Sequence, residues 1–327
     1  DESNRFGLGS FKALGGAYAV IRYLAGALAK QHGQPVTMAA VRNGDHADAA
    51  AAMTVATATD GNHGRSVAWG AQMAGCPCRI YIHREVSLGR EQAMAAFGAT
   101  VIRVDGDYDE SVRQCARDAA EQGWQVISDT SYDGYTEIPR FVMAGYTIMV
   151  QEIIEQCGGD LPTHIIVQAG VGGLAAAVLA AFWMELGENL PRFIIVESQH
   201  SDCVAESFRQ NRAAAVEIDT ETMMAGLSCG EISLIAWDIL SRGVSHIVSI
   251  SDHAVAPAMR AMAAGEMGGG SIEAGECAVP GIVALMAASG DDSLRQRFDF
   301  NERSRILVFG CEGATDRTIY DRIMAGA

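Results

Sequence analysis

Two successive series of short β-rich runs, separated by helix-forming stretches, constrain the fold of this chain more than any other feature. MTVATAT (53–59), CRIYI (78–82), TVIRV (100–104) and WQVIS (124–128) make the first series, with stretches such as RSVAWGAQMAG and DESVRQCARDAAEQG between them. A helix-like segment follows from 136 to about 157, and the rhythm resumes with THIIVQA (163–169), RFIIVES (192–198), HIVSI (246–250) and RILVFG (305–310). Strands that alternate with helices pair in parallel, and continuously apolar strands need helices on both faces. The sequence therefore predicts an α/β protein with two open, twisted, mostly parallel sheets covered by helices on both sides. The boundary falls near residue 145, giving a smaller domain over 13–145 and a larger one over 146–327 together with 1–12, with a cleft between them. No Pro- or Ser-rich linker marks that boundary, and there are no internal repeats.

A chain of 327 residues is long enough for two such cores. Its 24 basic and 40 acidic residues leave a net charge of −16, and no basic run interrupts that balance. A nucleic acid or an anionic membrane finds no electrostatic footprint here, so both are excluded as partners. The longest apolar stretch, LAAAVLAAFWM (174–184), stops at Glu185. It is too short to span a bilayer and is expected to be a core helix. The eight cysteines show no CxxC pairs and read as buried or incidental thiols of a reducing compartment, which points to the cytoplasm. The eight histidines show no HxxxH or Cys/His cluster, so no metal site is expected. No signal peptide is visible, and because the chain opens in mid-motif on Asp1 a preceding N-terminal segment is expected. RNGDHADAAAA (42–52) reads as a helix or a mobile loop, and GEMGGGSIEAGE (265–276) as a loop passing a ligand or a plain surface loop.

GLGSFKALGGAYAV (7–20) carries a single charge, Lys12, whose neighbours three and four positions away are Leu8, Gly9, Gly15 and Gly16. Two readings stand side by side: a lysine whose stem covers apolar surface, or one held partly buried and closely approached by something. In VQAGVGGLAAAV (167–178) a strand runs into Gly170, Gly172 and Gly173 and then into an Ala-rich helix. Glycines allow close approach, and a helix start offers free N–H groups to an anion, so this turn reads as a phosphate cup or as a plain tight turn. It lacks GxGxxG and the Lys-Ser/Thr of a P-loop, which disfavours a dinucleotide or a nucleoside triphosphate. TATDGNHGRSV (57–67) adds a second glycine turn around Asp60, Asn62 and His63. An isolated lysine and a phosphate cup in an α/β fold together fit pyridoxal 5′-phosphate, held as a Schiff base.

SFKALGGA with Lys12, then DGNHG, then GVGGL, in this order, resemble the tryptophan synthase β-family (fold type II) of pyridoxal phosphate enzymes. RFGLGSFKALGGAYA, TATDGNHGRSVAWGAQ, SDTSYDGYTEIPRFVMAGY, QAGVGGLAAAV and MMAGLSCGE extend the likeness over the whole chain, toward the ammonia-lyase branch that acts on 2,3-diaminopropionate. The resemblance implies that Lys12 forms the Schiff base and later moves the Cα proton. It implies that Asn62 meets the cofactor's O3′ and that Gly170, Val171, Gly172, Gly173 and Leu174 wrap its phosphate. Cys311, in VFGCEG, falls where relatives place a neutral partner of the pyridine nitrogen.

Where the dehydratases of the family usually have serine just before the Gly-Asn pair, this chain has Asp60. Its carboxylate suits a substrate with a second amine, or takes a Cα proton on the face opposite Lys12. Asp129 resembles a second acid approaching the same substrate. The alternatives are a helix N-cap for Asp60 and a strand-end turn residue for Asp129. The implied activity is elimination of ammonia from 2,3-diaminopropionate to give pyruvate and ammonia, by an enzyme that relatives' habits make a homodimer. A serine/threonine dehydratase is the alternative enzyme. A non-catalytic regulatory protein of this fold is the other, and retention of Lys12, Asn62 and the glycine turn speaks against it.

Overall fold

The computed structural model describes residues 1–326. The chain forms two compact units, one made of 12–145 and the other of 1–11 together with the chain from 146 onward. In the 12–145 unit lie β1 (Val55–Ala58), β2 (Cys78–Ile82), β3 (Thr100–Arg103) and β4 (Gln125–Val126). They pair in parallel in the order β3-β2-β1-β4, with Val55 opposite Cys78 and Gln125. The other unit holds β5 (His164–Gln168), β6 (Arg192–Ser198), β7 (Val244–Ile250) and β8 (Ile306–Val308), again all parallel, in the order β7-β6-β5-β8. Each strand falls within or beside a β-rich run of the sequence, and β5 is buried along its whole length, as a central strand covered on both faces must be.

Within the 12–145 unit the helix Lys12–His32 buries Ala13, Gly16, Ala17, Val20, Leu24 and Leu28, the three-and-four spacing of one helical face. Its small residues have a packing reason. A Cβ on Gly16 would stand 2.7 Å from Ser66 Oγ, and one on Gly70 would stand 2.7 Å from Ala17 Cα. The helix Asn62–Ala74 thus lies backbone against backbone on the lysine helix, and Ser66 Oγ accepts the Ala17 N–H at 2.9 Å. From the other side Gly145, in the helix Glu137–Cys157, comes so near that its Cβ would sit 2.3 Å from the Leu14 carbonyl oxygen. Gly15 and Gly16, just after Lys12, are therefore where two further helices press against the lysine helix.

In the other unit the helix Gly173–Leu186 buries Leu174 through Val178, Leu179, Ala181 and Phe182, the core helix expected from the sequence. The 42–52 stretch leaves the helix Met38–Arg42, turns through 43–46 and forms the short helix Ala47–Ala51, while 265–276 is irregular, exposed at Gly268, Gly269 and Gly270 and buried at Gly275. All eight cysteines are free thiols. Cys76, Cys78 and Cys115 are buried in the first unit and Cys203, Cys277 and Cys311 in the second; Cys157 and Cys229 are half-buried. Among the described residues no helix is long and apolar enough to cross a membrane, and no cluster of side chains has the makings of a metal site.

Candidate active site

Lys12 opens its helix with a side chain 22% exposed and forms an ion pair with Oδ2 of Asp129. The loop that carries Asp129 is set by the end of β4. Ile127 N–H donates to the Ala56 carbonyl at 2.8 Å, prolonging the β1/β4 pairing. Tyr135 Oη accepts the Ser128 N–H at 3.0 Å and donates to the Val126 carbonyl at 2.8 Å, which clamps the residues on either side of Ile127. Burial alone would raise the Asp129 carboxyl, but the charge of Lys12 and the hydrogen bond that Lys12 donates outweigh it. Asp129 is held well below the usual carboxylate range and stays ionised.

His63 completes this group. Its Nε2–H donates to the Ile127 carbonyl at 2.8 Å, which fixes the tautomer, and Nδ1 lies 3.9 Å from Asp129 Oδ2. Burial pushes the imidazole below its ordinary value, with Asp129 opposing that and Lys12 adding to it, so His63 is neutral. Lys12, Asp129 and His63 thus meet in one unit. The meeting of His63 with Asp129 has no signal in the sequence, because 66 positions separate them and only the β1/β4 pairing brings them together.

Asp60 lies in the same unit, three residues before His63. Thr59 Oγ1 organises its turn by accepting the N–H groups of Gly61 at 3.2 Å and Gly64 at 3.3 Å. Gly64 has to be glycine, because a Cβ would lie 2.3 Å from Thr59 Cγ2. The N-cap of the helix Asn62–Ala74 is Gly61, without a side-chain cap, so Asp60 does not cap it. The Asp60 side chain is 31% exposed, yet its Oδ1 is buried and makes no aligned hydrogen bond; Nε2 of His83 approaches that atom to 3.1 Å. Asn62 is half-buried in the first turn of the helix, beside Asp60 in sequence.

The remaining predicted site residues lie in the other unit. β5 ends at Gln168, whose buried amide donates to the carbonyls of Cys277 at 2.8 Å and Phe309 at 2.9 Å. The chain then turns through Gly170 to Leu174. A Cβ on Gly170 would meet Cys229 Sγ at 2.9 Å and the Gly226 carbonyl at 3.0 Å, and Gly172 adopts φ +88°, where a side chain is strained. Gly172 caps the helix Gly173–Leu186 without a side-chain acceptor, so the first-turn N–H groups have no partner within the helix. That is a seat for an anion at the start of a 14-residue helix. Cys311 follows β8, and its thiol donates to the Cys277 carbonyl at 3.2 Å. Within this unit the glycine-lined anion seat and the buried thiol suit the phosphate and the ring nitrogen of pyridoxal phosphate; within the 12–145 unit the amine beside a carboxylate suits its aldehyde. Gln168 was not singled out by the sequence, although a polar residue closing an apolar strand is a signal of such a tie.

Two parallel α/β units, one with a half-buried lysine paired to a carboxylate and the other with a glycine turn opening a helix, define a pyridoxal phosphate enzyme of fold type II. The model of the family described as "Pyridoxal-phosphate dependent enzyme" matches residues 1–308, and the chain belongs to that family. Its cofactor is pyridoxal phosphate. The chain is 36% identical to a diaminopropionate ammonia-lyase of Salmonella typhimurium, over 99% of this chain and 82% of that one. It is similar to a holo diaminopropionate ammonia lyase structure from Escherichia coli, with a TM-score of 0.89 and 34% identity over 99% of this chain and 81% of that one. A threonine deaminase from Solanum lycopersicum, at 17% identity and a TM-score of 0.74 over 100% of this chain and 82% of its own, shares the fold.

Proposed function

We propose that the protein is a pyridoxal phosphate-dependent lyase that eliminates ammonia from 2,3-diaminopropionate. The observation that carries the substrate choice is Asp60, a partly exposed carboxylate one residue before Gly61 and Asn62, in a chain with full-length likeness to enzymes named for that reaction. Loss of the Cα proton and the β-amine leaves an enamine, which water converts to pyruvate and a second ammonia, so one water is consumed and two ammonia molecules are released. Pyridoxal phosphate, when bound, withdraws electrons from Cα and makes its proton acidic.

The chain's own residues do the rest. With pyridoxal phosphate bound, the N–H groups from Gly170 to Leu174 would hold the phosphate, Asn62 would donate to the ring oxygen, and Cys311 would be the partner of the ring nitrogen. Lys12 would hold the aldehyde and would take the Cα proton of one enantiomer. Asp60 meets the second ammonium or takes the Cα proton of the other enantiomer. Asp129, firmly ionised, is a poor proton acceptor and serves as the counter-charge that keeps the lysine in place. We read the enzyme as a cytoplasmic homodimer, as the resemblance implies.

A panel of D- and L-2,3-diaminopropionate, serine and threonine, followed by the keto acid formed, tests this reading. Diaminopropionate is expected to be preferred by at least about tenfold in kcat/KM, the worth of one charged contact. A preference for serine or threonine instead would make the protein a dehydratase.

A further inference from the structure

His83 follows β2 and plays no part in the roles above. Its main chain is fixed firmly. Arg103 Nη1 donates to the carbonyls of His83 at 3.3 Å, Arg84 at 2.7 Å and Val86 at 2.8 Å, and Arg103 is itself held by Glu91 at 2.5 Å. The Arg84 N–H donates to the Gly106 carbonyl at 3.2 Å, and Val86 N–H to the His83 carbonyl at 3.3 Å. The ring is oriented as well. The Glu85 N–H points to Nδ1 at 3.4 Å, which makes Nδ1 the acceptor and puts the ring proton on Nε2. Nε2 stands 3.1 Å from Asp60 Oδ1, within ion-pair reach and off the line of a hydrogen bond. Oδ1 is buried while the Asp60 side chain as a whole is 31% exposed, so the exposure belongs to the rest of the side chain, which includes Oδ2.

We propose that His83 is the positioning residue of Asp60: its Nε2–H holds Oδ1 and leaves Oδ2 as the oxygen that meets the second amine or the Cα proton of a diamino acid. The proposal rests on the role given above to Asp60. Off-line geometry is what a pair shows before substrate tightens it, and a small rotation of either side chain aligns the bond. The imidazole does two things for the carboxylate. It removes one of two equivalent oxygens from competition, which fixes the direction of proton transfer. It also offers a hydrogen to a buried oxygen that otherwise has none.

Five proteins test this: wild type, Asp60→Asn, His83→Leu, His83→Gln, and the double variant Asp60→Asn/His83→Leu, which closes the cycle. His83→Leu is expected to lower kcat on one enantiomer of diaminopropionate about tenfold while changing the other much less. His83→Gln, which keeps an N–H donor, should restore most of that loss. The double variant should be no slower than Asp60→Asn alone. A readout independent of turnover is the ¹⁵N spectrum of the His83 ring in the holoenzyme, where the Nε2–H signal should move in Asp60→Asn.

Wild-type rates on both enantiomers in His83→Leu, with Asp60→Asn impaired, overturn the proposal and leave the role of Asp60 standing. So does a full additional loss in the double variant, which means that His83 acts independently. Unaltered kinetics in Asp60→Asn overturn the role of Asp60 itself, and the proposal falls with it.

Discussion

The Lys12–Asp129 pair is a contact whose two sides do different work. Lys12→Ala should leave a folded protein that binds pyridoxal phosphate without a covalent link, with the visible absorbance of the lysine-bound cofactor gone and turnover lower by orders of magnitude. Asp129→Asn should keep the link and lose stability instead. In the cofactor-free protein it leaves the lysine's charge without its carboxylate in a half-buried place, at a cost of about 2–3 kcal/mol after allowing for solvent screening. Asp129 lies below its ordinary value in the fold, so its stabilisation is fully present above the unfolded value and lost as pH falls through the folded one. The gap in melting temperature between wild type and Asp129→Asn should therefore persist from neutral pH down to about pH 4 and close only in stronger acid. A gap that closes already near pH 6 would show that the pair is not held ionised.

At the scale of elements, β6 and the helix Cys203–Gln210 are joined through one buried acid. Glu197, near the end of β6, accepts the N–H groups of Val204 at 3.1 Å and Ala205 at 2.8 Å, in the first turn of that helix. Burial pushes its carboxyl up to about 8 from an ordinary 4.5, the two amides pull the other way, and Asp202 and Arg209 add small opposing effects. A raised acid favours the fold while protonated: its contribution is complete below 4.5 and is lost as pH rises through 8. Wild type should lose several degrees of melting temperature between pH 6 and pH 9.5, and Glu197→Gln, which cannot ionise, should lose less. Parallel curves for the two proteins would mean that this carboxyl does not titrate in that window.

Across the whole molecule, what the sequence reveals follows from range along the chain. The strands were legible because hydrophobicity and β-branching at β5 and β6 are local properties, and the glycine turn because Gly170 to Leu174 are contiguous. Lys12 stood out by its uncharged neighbours, but the cause assigned to them differs. Gly16 answers to Ser66, and Gly145 to Leu14, in helix contacts between residues far apart in sequence. The approach of His83 to Asp60 was invisible for the same reason, since neither CRIYI nor the residues after it mark a histidine that faces the turn after β1, the strand paired with β2. Side-chain partners depend on register, and register is settled only when the sheet forms.

The distribution of the thiols gives the molecule a built-in set of reporters. Three buried cysteines lie in the 12–145 unit and three in the other, and burial raises the thiols of Cys76, Cys78 and Cys115 to about 12. Such thiols react with alkylating reagents only when the surrounding structure opens. A brief exposure to iodoacetamide in rising urea, followed by peptide mass spectrometry, should label Cys157 and Cys229 first. The order in which Cys76, Cys78 and Cys115 follow, relative to Cys203, Cys277 and Cys311, then dates the opening of each unit with no engineered probe. Simultaneous labelling of all six would mean that the chain melts as one cooperative block.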